Sequence, residues 1–172
     1  MNPMNRLWPA LVFATALGTG SAAGAQPTPG PCVTAQNAAA VPVLVRAPAE
    51  TLDLRVADTP SKREYGLMCV RSLAPRTGMV FVFSDGDNYR DFWMKNTLIP
   101  LDMVFVSKSG KVNDVSANVP STTVDTPDER IPHRDGTGSY VIELGAGEAA
   151  RAGIKAGTML DVSALSTITP KE

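Results

Sequence analysis

The chain has 172 residues, a length that suits one domain with a short appendage. It carries 16 Lys+Arg against 17 Asp+Glu, a formal net charge of −1. That balance excludes a general nucleic-acid binder, whose phosphate contacts need a clear basic excess. Hydrophobic residues make up 44%, enough to build a core and to exclude a wholly disordered chain.

Residues 1–25 read as a signal peptide. Arg6 supplies a positive start, Leu7 to Leu17 is apolar apart from Thr15, and Ala23-Gly24-Ala25 fits the small-x-small cleavage pattern. Cleavage is expected after Ala25, with the mature protein in a periplasm or secreted. The apolar run is shorter than the roughly 20 residues of a membrane span, so no stable membrane anchor is expected after cleavage. Two cysteines remain, Cys32 and Cys69, and in an oxidising compartment an even count predicts a disulfide. The alternative is a buried free Cys69, with Cys32 left in the lead-in.

Residues 26–50 form a Pro/Ala-rich lead-in, in which Val41 to Arg46 can make an edge strand interrupted by Pro42. A single β domain is expected over 51–167. Leu52, Leu54 and Val56 alternate with Asp53 and Arg55, the period of a half-buried strand. Asp58-Thr59-Pro60 starts a short helix that Gly66 can stop. Met79 to Phe83 is a continuous apolar strand, Ser84 to Asn88 a turn, and Asp91 to Lys95 and Leu101 to Ser107 are strands. A turn at Lys108 to Lys111 leads to a strand near Val112 to Val119. Residues 113–139 contain long polar stretches and three prolines and read largely as a loop. Ser139 to Leu144 is a strand, Glu148 to Ala152 at most a short helix, and Met159 to Leu165 a last strand. Many short strands with one or two short helices predict a mainly β fold, an antiparallel sandwich or open barrel.

No complete catalytic motif is present. His133 is the one histidine, and nothing has the ligand spacing of a zinc site. Gly145-Ala146-Gly147-Glu148-Ala149-Ala150 fits a dinucleotide fingerprint, but only 22 residues follow, too few for the parallel sheet such a fold needs. Met68, Met79, Met94 and Met103 are soft-metal ligand types, yet each sits in an apolar stretch where methionine fills core gaps. Neither metal nor cofactor is expected.

Six of the eight aromatics beyond residue 25 lie between Phe81 and Phe105. Strand alternation places Phe92, Met94 and Asn96 on one face, and Asp91, Trp93 and Lys95 on the other. Asp102 shares its face with Val104 and Val106, so its carboxylate must be hydrogen-bonded or paired, or its pKa must rise. Lys95, Arg71 and Asn96 are candidate partners, and backbone amides at the strand end are the alternative. Trp93, Lys95, Asn96, Asp102 and Arg71 are therefore the candidate ligand-binding residues.

Several segments resemble one family. They are Tyr65-Gly66-Leu67-Met68, Gly78-Met79-Val80-Phe81-Val82-Phe83 and Phe92-Trp93-Met94-Lys95-Asn96-Thr97-Leu98-Ile99-Pro100-Leu101-Asp102, followed by Tyr140-Val141-Ile142-Glu143-Leu144 and Gly153-Ile154-Lys155-Ala156-Gly157. The family is the uncharacterised one called domain of unknown function 192. The resemblance spans about residues 51–163 and implies a compact mainly β fold, without an established activity. Tyr65 stands where that family usually has Arg, so an acid paired with that Arg would need another cation here. The expected function is an exported binding module, with an aromatic-walled pocket around Trp93 and Asp102 for a small polar or sugar-like ligand. The alternatives are a hydrolase using Asp102 as acid/base and a structural or partner-binding envelope domain.

Overall fold

The computed structural model describes Cys32 and residues 40–171. The signal-peptide reading, and most of the lead-in, lie outside the described residues. Eight strands are present: β1 (Pro42–Arg46), β2 (Thr51–Ala57), β3 (Thr77–Val82), β4 (Asn88–Trp93), β5 (Leu101–Val106), β6 (Val112–Val119), β7 (His133–Gly138) and β8 (Tyr140–Gly145). The helices are short, α1 (Pro60–Tyr65) and α2 (Glu148–Arg151). Six strands form one sheet in the order β1-β2-β3-β8-β5-β6, and β4 and β7 form a separate ribbon. The fold is a mainly β sandwich, not a closed barrel.

Alternation along the strands sorts side chains onto the two faces of the large sheet. Leu54, Val80, Ile142, Leu144 and Val104 face α2 and the C-terminal segment, where Ala149, Ile154, Leu160 and Leu165 complete one core. Met79, Phe81, Val141, Met103 and Phe105 face the ribbon and complete a second core with Leu67 and Met94. The central strands β3, β8 and β5 are thus covered on both sides, which explains why they are continuous apolar runs rather than alternating ones. Phe92 points from the ribbon into the second core and meets Phe81 edge-on at 4.8 Å and Phe105 at 6.2 Å.

The sheet is not wholly antiparallel, because β2 and β3 run parallel. A parallel neighbour requires a crossover, and α1 with the following loop supplies it. Thr59 caps α1 through its side chain, which accepts from the Lys62 amide, Pro60 opens the helix, and Gly66 ends it at φ 45°.

Two expectations fail locally. Residues 133–138, read as loop, form β7, a sequence of polar residues and glycines with no apolar alternation. Its glycines make the strand possible: a Cβ at Gly136 would stand 2.4 Å from Phe105 Cγ, and one at Gly138 2.6 Å from the Val106 carbonyl oxygen. Close packing, not β-propensity, holds this strand. Conversely, Met159 to Leu165 is not a strand. Isolated bridges join Met159 to Lys111 and Asp161 to Arg46, and a 3-10 turn begins at Leu165.

The loop between β3 and β4 is anchored by charge. Arg90 is buried beneath it, grips both carboxylate oxygens of Asp85, donates to the Gly138 and Gly86 carbonyls, and lies 3.9 Å from the Phe83 ring centroid. This pairing holds the Asp85 carboxyl well below the usual carboxylate range.

Cys32 and Cys69 form a disulfide with Cα atoms 4.9 Å apart. Cys69 has φ 65°, and its amide donates to the Asn96 carbonyl at 2.9 Å, so the bond ties residue 32 to the loop packed against the end of β4. Purified protein should show no reactive thiol until it is reduced. Reduction should then cost at most about 4 kcal/mol, the closure entropy of a 37-residue separation. Two alkylatable thiols in unreduced protein would contradict this.

Candidate functional site

The five residues singled out from the sequence do not converge on one point. Asp102 is 1% exposed and belongs to the face covered by α2. Its Oδ2 accepts from the Ala149 amide at 2.9 Å and its Oδ1 from the Asn118 amide at 2.8 Å. Asn118 has φ 52° and lies where the β5–β6 register shifts, so the carboxylate replaces a ladder bond that the irregularity removes. Neither Lys95, Arg71 nor Asn96 is a partner; the backbone-amide alternative describes what Asp102 does. Arg71 is exposed beyond Cys69 and forms no ion pair among the described residues.

Trp93, Lys95 and Asn96 sit together on the opposite side of the sheet, at the end of β4. Trp93 is 40% exposed, with Lys95 Nζ 5.2 Å from its ring centroid and the His133 ring 6.4 Å away. Lys95 also reaches Asp128 at 3.2 Å, and His133 Nδ1 lies 3.1 Å from Asp91 Oδ2. Asn96 serves the turn: its φ is 51° and its carbonyl accepts from Cys69. Thr122 secures the same turn, donating its hydroxyl to the Met94 carbonyl and its amide to the Thr97 carbonyl.

The acid on the Trp93 side is Glu143, which the chemical reading of the sequence did not single out. In β8 it alternates with Ile142 and Leu144, so its side chain faces the ribbon core between Met79 and Met103 of the adjacent strands. It is 4% exposed, and no donor reaches its carboxyl group among the described residues. Burial alone pushes its pKa up from 4.5 to about 8, so the group is largely neutral at pH 7. Glu143 lies at a cleft walled by Tyr65, Gly66, Phe81, Phe92 and Trp93, with a free volume of about 20 Å³. That is room for one group the size of a water or hydroxyl. A Cβ at Gly66 would come 3.1 Å from Phe81 Cζ and 3.7 Å from Glu143 Oε2, so glycine keeps the cleft open. Tyr65, at the position noted above for its lack of an Arg, lines this same cleft, and the acid there has acquired no other cation. A signal for Glu143 did exist in the sequence: an acid within the apolar run Tyr140-Val141-Ile142-Glu143-Leu144.

The architecture defines a class, a two-layer mainly β domain whose large sheet is buried on both faces and carries one acid in each core. The sequence profile of the uncharacterised conserved proteins called DUF192 ("Uncharacterized ACR") matches residues 43–162, and the chain belongs to that family. It is similar to a protein of Sinorhizobium meliloti 1021 described as a suggested transcription regulator, at 35% identity and TM-score 0.57, over 70% of this chain and 91% of that one. It is also similar to a protein of unknown function from Novosphingobium aromaticivorans DSM 12444, at 30% identity and TM-score 0.54, over 74% and 96% of the two chains. No curated protein matches it.

The two acids predict opposite behaviour on neutralisation. Asp102→Ala should destabilise by about 2–4 kcal/mol in urea unfolding, because two amides lose their acceptor, while the Trp93 emission of the native state stays unchanged. Glu143 has the reverse linkage. Below pH 4.5 both folded and unfolded states hold its proton. As pH rises from there towards 8 only the unfolded state ionises, and native stability falls. Glu143→Gln should therefore flatten the fall in melting temperature between pH 5 and pH 8, a slope of up to about 1.4 kcal/mol per pH unit. An identical slope in the variant would show that Glu143 does not titrate in this range.

Proposed function

We propose that the protein is an exported binding module that takes a small polar or sugar-like ligand at the Trp93–Glu143 cleft. The observation that carries this reading is the Glu143 carboxyl group, buried against aromatic walls without a hydrogen-bond partner among the described residues. Buried polar groups in folded proteins are nearly always satisfied, so one that faces an open space takes its partner from outside, either water or a ligand that displaces it. Aromatic walls with a few polar groups are the usual lining of small-ligand sites. Asp102 and Arg71 have no part in this site, Trp93 lines it, Lys95 reaches the Trp93 ring without lining the cleft, and Asn96 shapes the turn beside it.

Export is supported by the signal-peptide pattern of residues 1–25 and by the Cys32–Cys69 disulfide, which suits an oxidising compartment. Among the described residues no helix is long and apolar enough to cross a membrane. The description of the Sinorhizobium relative raises transcription regulation, but the net charge of −1 supplies no basic excess for DNA. An acid/base role remains a second reading, resting on Glu143 rather than Asp102, because a neutral carboxyl group near its pKa can donate a proton.

Trp93 is the single tryptophan beyond residue 25, so its fluorescence reports on the cleft directly. Titration with neutral sugars, amino acids and small carboxylates should give a saturable change with one class. Gly66→Val, which fills the mouth, should weaken that binding at least tenfold in calorimetry. No response from any class, in protein shown to be folded, would reject the reading.

A further inference from the structure

We propose that the protein carries a second ligand site, in the cavity where the end of β3 and the start of β8 meet the C-terminal segment. Its ligand is a small organic carboxylate with an apolar body, recognised by Tyr140 and Lys108. The site does not depend on the reading of the Trp93 cleft. Val82, Tyr140 and Leu165, which line it, belong to the core beneath α2, on the other face of the large sheet.

The cavity has a volume of about 290 Å³, more than ten times that of the Trp93 cleft and near the lower end of ordinary small-ligand sites. Its apolar walls are Val82, Phe83, Leu165, Ile168 and Pro170. Polar bonds fix the frame around them. Asp87 Oδ1 accepts from the Lys108 amide at 2.7 Å and from the Ser139 hydroxyl at 2.6 Å, and the Phe83 amide donates to the Ser139 carbonyl at 3.2 Å. The β3–β4 loop, the turn after β5 and the start of β8 are thereby held around one space. Arg63 donates to the Val82 and Lys171 carbonyls, each at 3.2 Å, which attaches the C-terminal segment to the end of β3. A frame held in this way needs little ordering when a ligand enters.

Two groups give the cavity its selectivity. Tyr140 is 4% exposed, and its hydroxyl has no hydrogen-bond partner among the described residues. That hydroxyl is not sealed in, since the one enclosed side-chain polar atom without a partner among those residues is Glu50 Oε2. It opens instead to the cavity that Tyr140 lines. Burial, and then the nearby Asp87 charge, push its pKa up, so it stays a phenol with a proton to donate. Lys108 is the one charged side chain among the described residues lining the cavity, and its ammonium group has no ion pair among them. No acid is in that lining; Asp87 stands behind it, with one oxygen holding two donors. A hydroxyl donor and an unpaired cation, with no acid beside them, suit a carboxylate, which accepts from both. An ammonium ligand would meet a like charge and no carboxylate acceptor. A phosphate would leave most of its oxygens without a donor, and it has no carbon body for the apolar walls.

The test uses the mature, disulfide-bonded protein and three probes that share one ring, benzoate, benzyl alcohol and benzylamine, together with inorganic phosphate. Calorimetry at neutral pH gives affinity, and amide chemical shifts locate the ligand. Benzoate should bind in the millimolar range or tighter and move resonances of residues 82–86, 108, 139–140 and 165–170, while Trp93 emission stays unchanged. Benzyl alcohol and benzylamine should bind about tenfold more weakly. Tyr140→Phe, which removes only the hydroxyl, should weaken benzoate about tenfold, and Lys108→Gln should weaken it severalfold, with Lys108→Arg restoring it. Any of the other three probes matching benzoate would overturn the inference, as would benzoate affinity unchanged in either Tyr140→Phe or Lys108→Gln. Benzoate binding that moves only Trp93 would also overturn it and leave the Trp93 cleft as the binding site. Absence of benzoate binding to folded wild type overturns it too, without touching the reading of the Trp93 cleft. Circular dichroism of each variant separates loss of binding from loss of fold.

Discussion

The central strands β3, β8 and β5 are covered on both faces, and this double burial is the constraint on which the rest of the structure depends. A sheet covered on one side can direct every polar side chain to water. Here a polar residue on a central strand must be satisfied from within the protein or remain unsatisfied. The strands carry one acid towards each core, and the two meet that demand in opposite ways. Asp102 is met by two backbone amides, from α2 and from the irregularity in β6. Glu143 is met by none among the described residues, and it keeps its proton instead.

That difference follows from what covers each face. The α2 side brings the start of a helix over Asp102, and free amides are present wherever a helix begins. On the ribbon side Glu143 is surrounded by rings and thioethers, Phe92 from the ribbon and Phe81, Met79 and Met103 from the neighbouring strands of its own sheet. These groups fill space well but donate nothing. A carboxyl group held there lowers the stability of the native state at neutral pH, and such costs are commonly retained where a ligand recovers them.

The ribbon itself is positioned by polar interactions. Arg90 with Asp85 holds its entry, and Thr122 with the Asn96 turn holds its exit. The loop carrying Cys69 docks on that turn, which places Gly66, Leu67 and Met68 along the cleft. The disulfide therefore fastens one wall of the candidate site as well as the chain's early segment.

Local sequence determined a good deal. Period-2 alternation marked β2, continuous apolar runs marked β3, β5 and β8, and Thr59-Pro60 with Gly66 bounded α1, because each signal is written in neighbouring residues. Alternation also placed Trp93 and Asp102 correctly on their own strands. The tertiary structure alone decided which sheet face each strand presents to which layer, and so it separated Trp93 from Asp102 and joined it to Glu143. It alone decided that residues 133–138 are a strand, since Gly136 is explained by the Phe105 ring and not by its sequence neighbours. Periodicity says which residues share a face, but what lies across from that face depends on contacts between residues far apart in the chain. The partners of a buried acid are among those contacts.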